Sequence, residues 1–203
     1  GLIPTYVRED KIALLVDAGM NRVRMGIQSG SDNILEFYKR PTKLYRIKEA
    51  TKIINKFRKY MIPPAYDIIL ENPIETPEDT RATVDLIYEM PRPFTLNLFA
   101  LRIIPNTQLA KDVEKRGLDI PAIDAYYHVG YHRTMGNVLV FFLTVFKIPR
   151  WLYRYLRNKI YPVHTKQPHY PILFAFVRTL YYCKRAFDHL RFMDFSVLPG
   201  KPG

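Results

Sequence analysis

The stretch MGIQSGSDNILEFYKR, Met25 to Arg40, decides how the rest of the chain is read. A short apolar lead-in reaches Gly26-Ile27 and stops on an amide, Gln28. Ser29-Gly30-Ser31-Asp32 follow. Ser31 and Asp32 are residue types that cap a helix N-terminus. Ile34, Leu35, Phe37 and Tyr38 then recur at helical spacing. The stretch therefore predicts a strand, a polar turn and a helix, with Arg40 at the far end.

The same alternation extends outward. Upstream, REDKIALLVDAG places Ile12, Leu15 and Val16 on one helical side, with Gly19 as C-cap. NRVRMGI is then the first strand. Downstream, KLYRIKEATKIINKFRKY is an amphipathic helix with Leu44, Ile47, Ala50, Ile53, Ile54 and Phe57 along one side. PAYDIIL reads as a strand. TPEDTRATVDLIYEM reads as a helix with Thr76 at the N-cap, Pro77 at the first position and acids in the first turn. FTLNLFAL is a third strand, and NTQLAKDVEKRG a helix stopped at Gly117. Short apolar strands, each followed by a helix, suit parallel pairing with right-handed crossovers. Three strands are too few to close a barrel, and a bare outer strand would be exposed, so a larger sheet is expected.

Composition divides the chain. Residues 1–120 hold 19 Lys and Arg against 16 Asp and Glu, a net +3. Residues 121–203 hold 12 against 3, a net +9, together with 18 of the 28 aromatics. A boundary near Ile120-Pro121 follows, with residues 1–120 as the α/β part and 121–203 as a basic, aromatic extension. In that extension NVLVFFLTVF, RWLYRYLRNKIY and ILFAFVRTLYYCKRAFDHLRFM read as helices. The last places Leu173, Phe176, Val177, Leu180, Cys183, Phe187 and Leu190 on one stripe, Arg178 and Arg185 opposite, and Lys184 and Arg191 at its flanks. The tail VLPGKPG is expected to fray.

The single cysteine, Cys183, excludes an intrachain disulfide framework and any cluster held by several cysteines of this chain. A reducing, cytosolic setting is the simpler expectation. GLIPTYVRED has neither an initiator Met nor the charged and apolar blocks of a secretory signal. The chain is thus expected to be a processed form, an excised piece or a partial reading frame.

In parallel α/β folds ligands sit beyond the carboxyl ends of the strands. Those ends read GIQSGS, YDIILENPIETPED and LNLFALRIIPNTQ here. Together, in the order GIQSGSDNIL, YKR, YDIILENPIETPED, RPFTLNLFALRIIPNTQLAK and RG, they resemble the C-terminal half of a radical S-adenosylmethionine (radical SAM) domain. The likeness covers roughly residues 1–118 and is strongest to the subgroup with a cobalamin-binding domain, the Mg-protoporphyrin ester cyclase type. It implies half of a partial (β/α) barrel followed by a helical extension. It also implies cofactors: S-adenosylmethionine, a [4Fe–4S] cluster and cobalamin.

By that resemblance, Gln28, with Ser29 beside it, would bond the ribose or methionine part of S-adenosylmethionine. Arg40, a fixed fork, would pair with its carboxylate. Asp67 would reach the ribose, and Leu70, Glu71, Asn72, Leu101 and Arg102 would pass the adenine. Two positions depart from the family pattern: Glu71-Asn72 replaces a glycine, and Pro105-Asn106-Thr107 replaces a P-G-T turn. The C-x-x-x-C-x-x-C motif is not in this sequence, so the cluster and the cobalamin would be held by a missing N-terminal half of the same enzyme. The implied function is radical formation for methyl transfer or oxidative cyclisation on a small-molecule substrate, the apolar tail pointing to a hydrophobic one. A methylthiotransferase and a non-catalytic membrane-associated module are the alternatives.

Blander readings stand beside these. Gln28 suits a cap, and Arg40 a solvated surface. Asp67, in an apolar strand, needs a partner or a ligand. Glu75 suits backbone bonds within its loop. His128 and His132 have the i, i+4 spacing of a helical metal pair, but Gly130 lies between them and no third ligand is evident. His164, His169 and His189 read as structural, and Cys183 as a buried filler. The basic tail has three readings: a helical extension packed on the barrel, an interfacial membrane anchor through 137–160, or a nucleic-acid surface, the last the least expected. Its apolar run is too short to span a bilayer. Localisation is thus expected to be cytoplasmic, with possible peripheral membrane contact. The isolated chain is expected to be poorly soluble, its first strand lacking a neighbour.

Overall fold

The computed structural model describes residues 1–40, 42–72, 74–102, 104–117, 132–161 and 168–194. The boundary near residue 120, His128, His164 and the VLPGKPG tail lie outside them.

Three parallel strands form one sheet in the order β1 (Arg24–Gln28), β2 (Ala65–Leu70), β3 (Thr95–Ala100). Helices α1 (Glu9–Asp17), α2 (Asp32–Phe37), α3 (Leu44–Lys56), α4 (Pro77–Glu89) and α5 (Gln108–Lys115) occupy the predicted segments. The fold is α/β with parallel strands and a helical extension, in keeping with part of a (β/α) barrel. Burial alternates along β2: Tyr66, Ile68 and Leu70 are buried, whereas Ala65, Asp67 and Ile69 are half-buried. The first set joins Met25, Ile27, Leu96 and Leu98 beneath the helices. A fully covered parallel sheet would be apolar on both faces; here the second face keeps its polar groups.

The outer edge of β1 is less bare than the sequence suggests. Leu2 forms a parallel bridge with Met25, donating to Arg24 O at 2.7 Å and accepting from Gly26 N at 3.3 Å. On α1, Ile12 is buried and Val16 half-buried, but Leu15, expected in the core, is exposed beside Leu14.

Helix α4 starts as its sequence demands. Thr76 Oγ1 accepts from Asp79 N, and Asp79 Oδ2 accepts from Thr76 N, closing a capping box. Gly117 ends α5 at φ 60°, where a glycine is favoured.

Helices α6 (Met135–Val145), α7 (Arg150–Ile160) and α8 (Pro171–Arg191) form the extension. The apolar run of α6 packs as the first of the three readings has it, and is not the free wedge of the second. Val138, Leu139, Val140, Phe141 and Leu143 are buried in the cluster that also holds Leu96 and Leu98. Helix α8 is turned about its axis relative to the expected stripe. Phe174, Val177 and Tyr181 are buried, with Tyr181 OH donating to Leu96 O at 3.2 Å. Leu173, Phe176, Phe187 and Leu190 are exposed. Cys183 is exposed too, not a buried filler: it lies two residues, about 200° of helix, beyond Tyr181.

Candidate functional site

The turn GIQSGS does four different things. At Gln28 the register with β2 slips, a bulge, and Gln28 takes φ 72°. A bulge re-aims a side chain. The Gln28 amide folds back over Gly26, where a Cβ would stand 2.7 Å from Nε2. Ser29 is fully buried and its Oγ lies 3.1 Å from Thr83 Oγ1. Gly30 N donates to the same Thr83 oxygen at 2.9 Å, and a Cβ at Gly30 would fall 2.6 Å from the α4 backbone. Ser31 sits at the N-cap of α2, but its hydroxyl donates to Asp79 Oδ1 at 2.5 Å instead of capping. Burial opposes the Asp79 charge, yet the bonds from Ser31 and Thr76 prevail and hold its carboxyl below the usual range. Asp32 accepts from Leu44 N at 3.0 Å, tying α2 to α3.

A cavity of about 630 Å³ opens at the carboxyl ends of the strands, within the size range of small-molecule sites. Of the expected site residues, Gln28, Arg40, Asp67 and Leu101 line it. Ser29, Leu70 and Asn72 do not. Ser29 is taken by Thr83, and Leu70 belongs to the core. Asn72 organises its loop: Nδ2 donates to Tyr38 OH at 2.7 Å and Oδ1 accepts from Ile74 N at 3.0 Å. Phe99, Ile69 and Leu101 give the cavity an apolar wall, and Arg102 also lines it.

Asp67 has the partner its position requires. Arg24 Nε donates to Oδ1 and Oδ2 at 2.9 and 2.8 Å, and Asn97 Nδ2 to Oδ1 at 2.8 Å. Gly26, Asp67 and Asn97 lie in register across the sheet, and the bare Gly26 makes room for the Gln28 amide that folds over it. An ionised carboxylate offers about four acceptor positions. Three are used, which leaves one, on Oδ2. Arg24 and Phe99 were not identified from the sequence. The signal for Arg24 was its alternation with the buried Val23 and Met25, which marks it as facing the opposite side. Arg40 is exposed and forms no ion pair among the described residues.

The loop beyond β2 carries two perturbed carboxyls. Burial pushes Glu71 up, while His132 and Asn137 pull it back; its Oε2 lies 2.5 Å from His132 Nδ1 and its Oε1 accepts from Asn137 at 2.9 Å. His132 thus joins the β2 loop to α6; its proposed metal partner, His128, lies outside the described residues. Glu75 is 5% exposed, and burial together with the nearby Asp79 raises it to about 8. Its Oε1 has no hydrogen-bond partner among the described residues, so the expected backbone bonding is incomplete. His189 Nδ1 lies 2.7 Å from Asp194 Oδ2, a structural pair. No group of three His, Cys, Asp or Glu that could hold a metal gathers among the described residues.

The family model described as the Radical SAM superfamily matches residues 1–87. No curated protein matches the chain. A solved structure of archaeal Methanocaldococcus infernus Elp3 with an N-terminal deletion is similar at 22% identity and a TM-score of 0.49. That likeness covers 73% of this chain but 32% of the other, so the chain spans about a third of the structure it matches.

Proposed function

We propose, from the Radical SAM superfamily match over residues 1–87, that this chain is the C-terminal portion of a radical SAM enzyme. The strand-end cavity would hold S-adenosylmethionine. The observation that carries this reading is the bulge that turns Gln28 toward a cavity it shares with Arg40 and Asp67.

The residues present suit that ligand. Arg40, which forms no ion pair among the described residues, offers a guanidinium fork to a carboxylate. Gln28 offers both a donor and an acceptor. Asp67 is fixed by Arg24 and Asn97 and keeps one acceptor position for a ribose hydroxyl. Ile69, Phe99 and Leu101 give an apolar wall for adenine. Bound, S-adenosylmethionine would supply radical chemistry: one electron from a cluster held outside these residues would break its S–C5′ bond, releasing methionine and a 5′-deoxyadenosyl radical able to take hydrogen from substrate. The chain's own part would be to orient that ligand and keep its ribose fixed.

The residues present do not fit a [4Fe–4S] cluster. The one cysteine is exposed on α8, and no alternative donor set gathers among the described residues. The cluster, and the cobalamin that the subgroup likeness implies, would be held by the missing N-terminal half of the same enzyme. Methyl transfer and oxidative cyclisation are the two reactions this reading allows.

Calorimetric titration of the chain with S-adenosylmethionine tests the pocket. Arg40→Ala is expected to weaken binding about tenfold, the loss of one charge-assisted bond. Equal affinity in Arg40→Ala and the parent chain would contradict the assignment.

A further inference from the structure

Helix α7 presents two chemically different sides. The inward side carries Tyr153, stacked on Tyr88 of α4 with ring centroids 3.9 Å apart, and Arg157. Arg157 Nη1 donates to Asp85 at 2.7 and 2.5 Å, and Tyr153 OH donates to Asp85 Oδ1 at 2.5 Å. The outward side carries Trp151, 71% exposed, and Tyr155, 59% exposed, four residues apart and so on one helical face. Arg154 and Lys159 are exposed beside them, and Lys147 and Arg150 just before. Lys159 Nζ lies 5.8 Å from the Tyr155 ring centre.

The charges on the two sides differ in their partners. The inward cation has Asp85. Among the described residues, Lys147, Arg150, Arg154 and Lys159 form no ion pair. Residues 132–161 contain six Lys and Arg and no Asp or Glu. An outward face of this kind repels its like and attracts an anionic surface. Amphipathic rings interleaved with long cationic side chains match the boundary between lipid headgroups and acyl chains.

We propose that the outward face of α7 lies flat on an anionic lipid surface. Trp151 and Tyr155 sit at headgroup level, and Lys147, Arg150, Arg154 and Lys159 meet lipid phosphates. The apolar run of α6 takes no part, because the core already holds it. Among the described residues no helix is long and apolar enough to cross a membrane, so the contact is one of surface. A nucleic acid would also answer cations and rings. Single-strand sites, however, use a groove that tracks the backbone, and no α7 residue lines the strand-end cavity.

Trp151 is the single tryptophan of the chain, so its fluorescence reports this face alone. The full chain is mixed with vesicles of phosphatidylcholine, with and without phosphatidylglycerol, and floated on a density gradient so that aggregate stays below. The expected result is flotation with the anionic vesicles only, a blue shift of Trp151 emission, and quenching by brominated lipid. Arg154→Glu/Lys159→Glu, both changes at exposed positions, is expected to lose about tenfold or more in partition. Four results would overturn the proposal: no shift with anionic vesicles, equal partition of the double variant, a shift with single-stranded oligonucleotide but none with lipid, or a lipid-free shift that grows with protein concentration and so assigns the face to a second copy.

Discussion

Gln28 and Glu75 show how single side chains are set by non-local surroundings. A glutamine at the end of a parallel strand is readable from GIQSG, but its direction depends on the bulge against Ile68, forty residues away in the chain. Asp67 was legible as a carboxylate that needs a partner, because burying one unpaired is costly. That the partner is Arg24 depends on the register of two strands, which local pattern does not carry. Glu75 yields a test. Its carboxyl is raised from 4.5 to about 8 by burial and by Asp79. Below about pH 4.5 it is protonated folded or unfolded, and its full contribution is present. Between there and about 8 the unfolded chain gives up the proton that the folded chain keeps, so stability falls as pH rises and levels off above 8. Glu75→Gln is expected to remove that slope and to exceed the parent at pH 8.5 by on the order of a few kcal/mol. Urea midpoints at pH 5, 6.5 and 8.5 decide it; parallel pH profiles for the two proteins would refute the placement of Glu75.

At the scale of elements, helix ends and strand identities were the most readable features. Thr76-Pro77-Glu78-Asp79 encodes its capping box within four residues, and the structure closes it. Local bonds need only local sequence. Ser29-Gly30-Ser31 misled for the opposite reason: its hydroxyls serve Thr83 and Asp79 on α4 instead of a ligand or a cap. The motif is therefore largely a clasp between the β1–α2 turn and α4. Gly30→Ala would put a methyl against the backbone at Ala82 and Thr83, which a side-chain shift cannot relieve. A loss of about 1–3 kcal/mol in folding stability is expected, as for overpacked cores. Denaturant unfolding measures it, and an unchanged midpoint would show that the two elements do not clasp. Helix α8 was misphased because apolar residues occur nearly all round it. Counting spacing then cannot tell Phe174-Val177-Tyr181 from Phe176-Leu180-Phe187.

On the scale of the whole molecule, the parallel α/β order was legible because each strand is followed by a helix and each has a turn after it. The joining of the extension to the sheet was not, since it depends on contacts such as Tyr181 to Leu96 and Glu71 to Asn137. One hydrophobic cluster runs from Ile12 and Met25 through Leu98 to Phe141 and Tyr181. Its sheet leaves one face half-buried, and the cavity opens at the strand ends on that side. We propose that this cavity receives S-adenosylmethionine. Ultraviolet cross-linking of radiolabelled S-adenosylmethionine to the full chain, followed by peptide mapping, tests it most directly. The account predicts saturable label within 24–40 or 97–109, competed by unlabelled ligand. Label confined to α7 or α8, or label that unlabelled ligand does not displace, would contradict it.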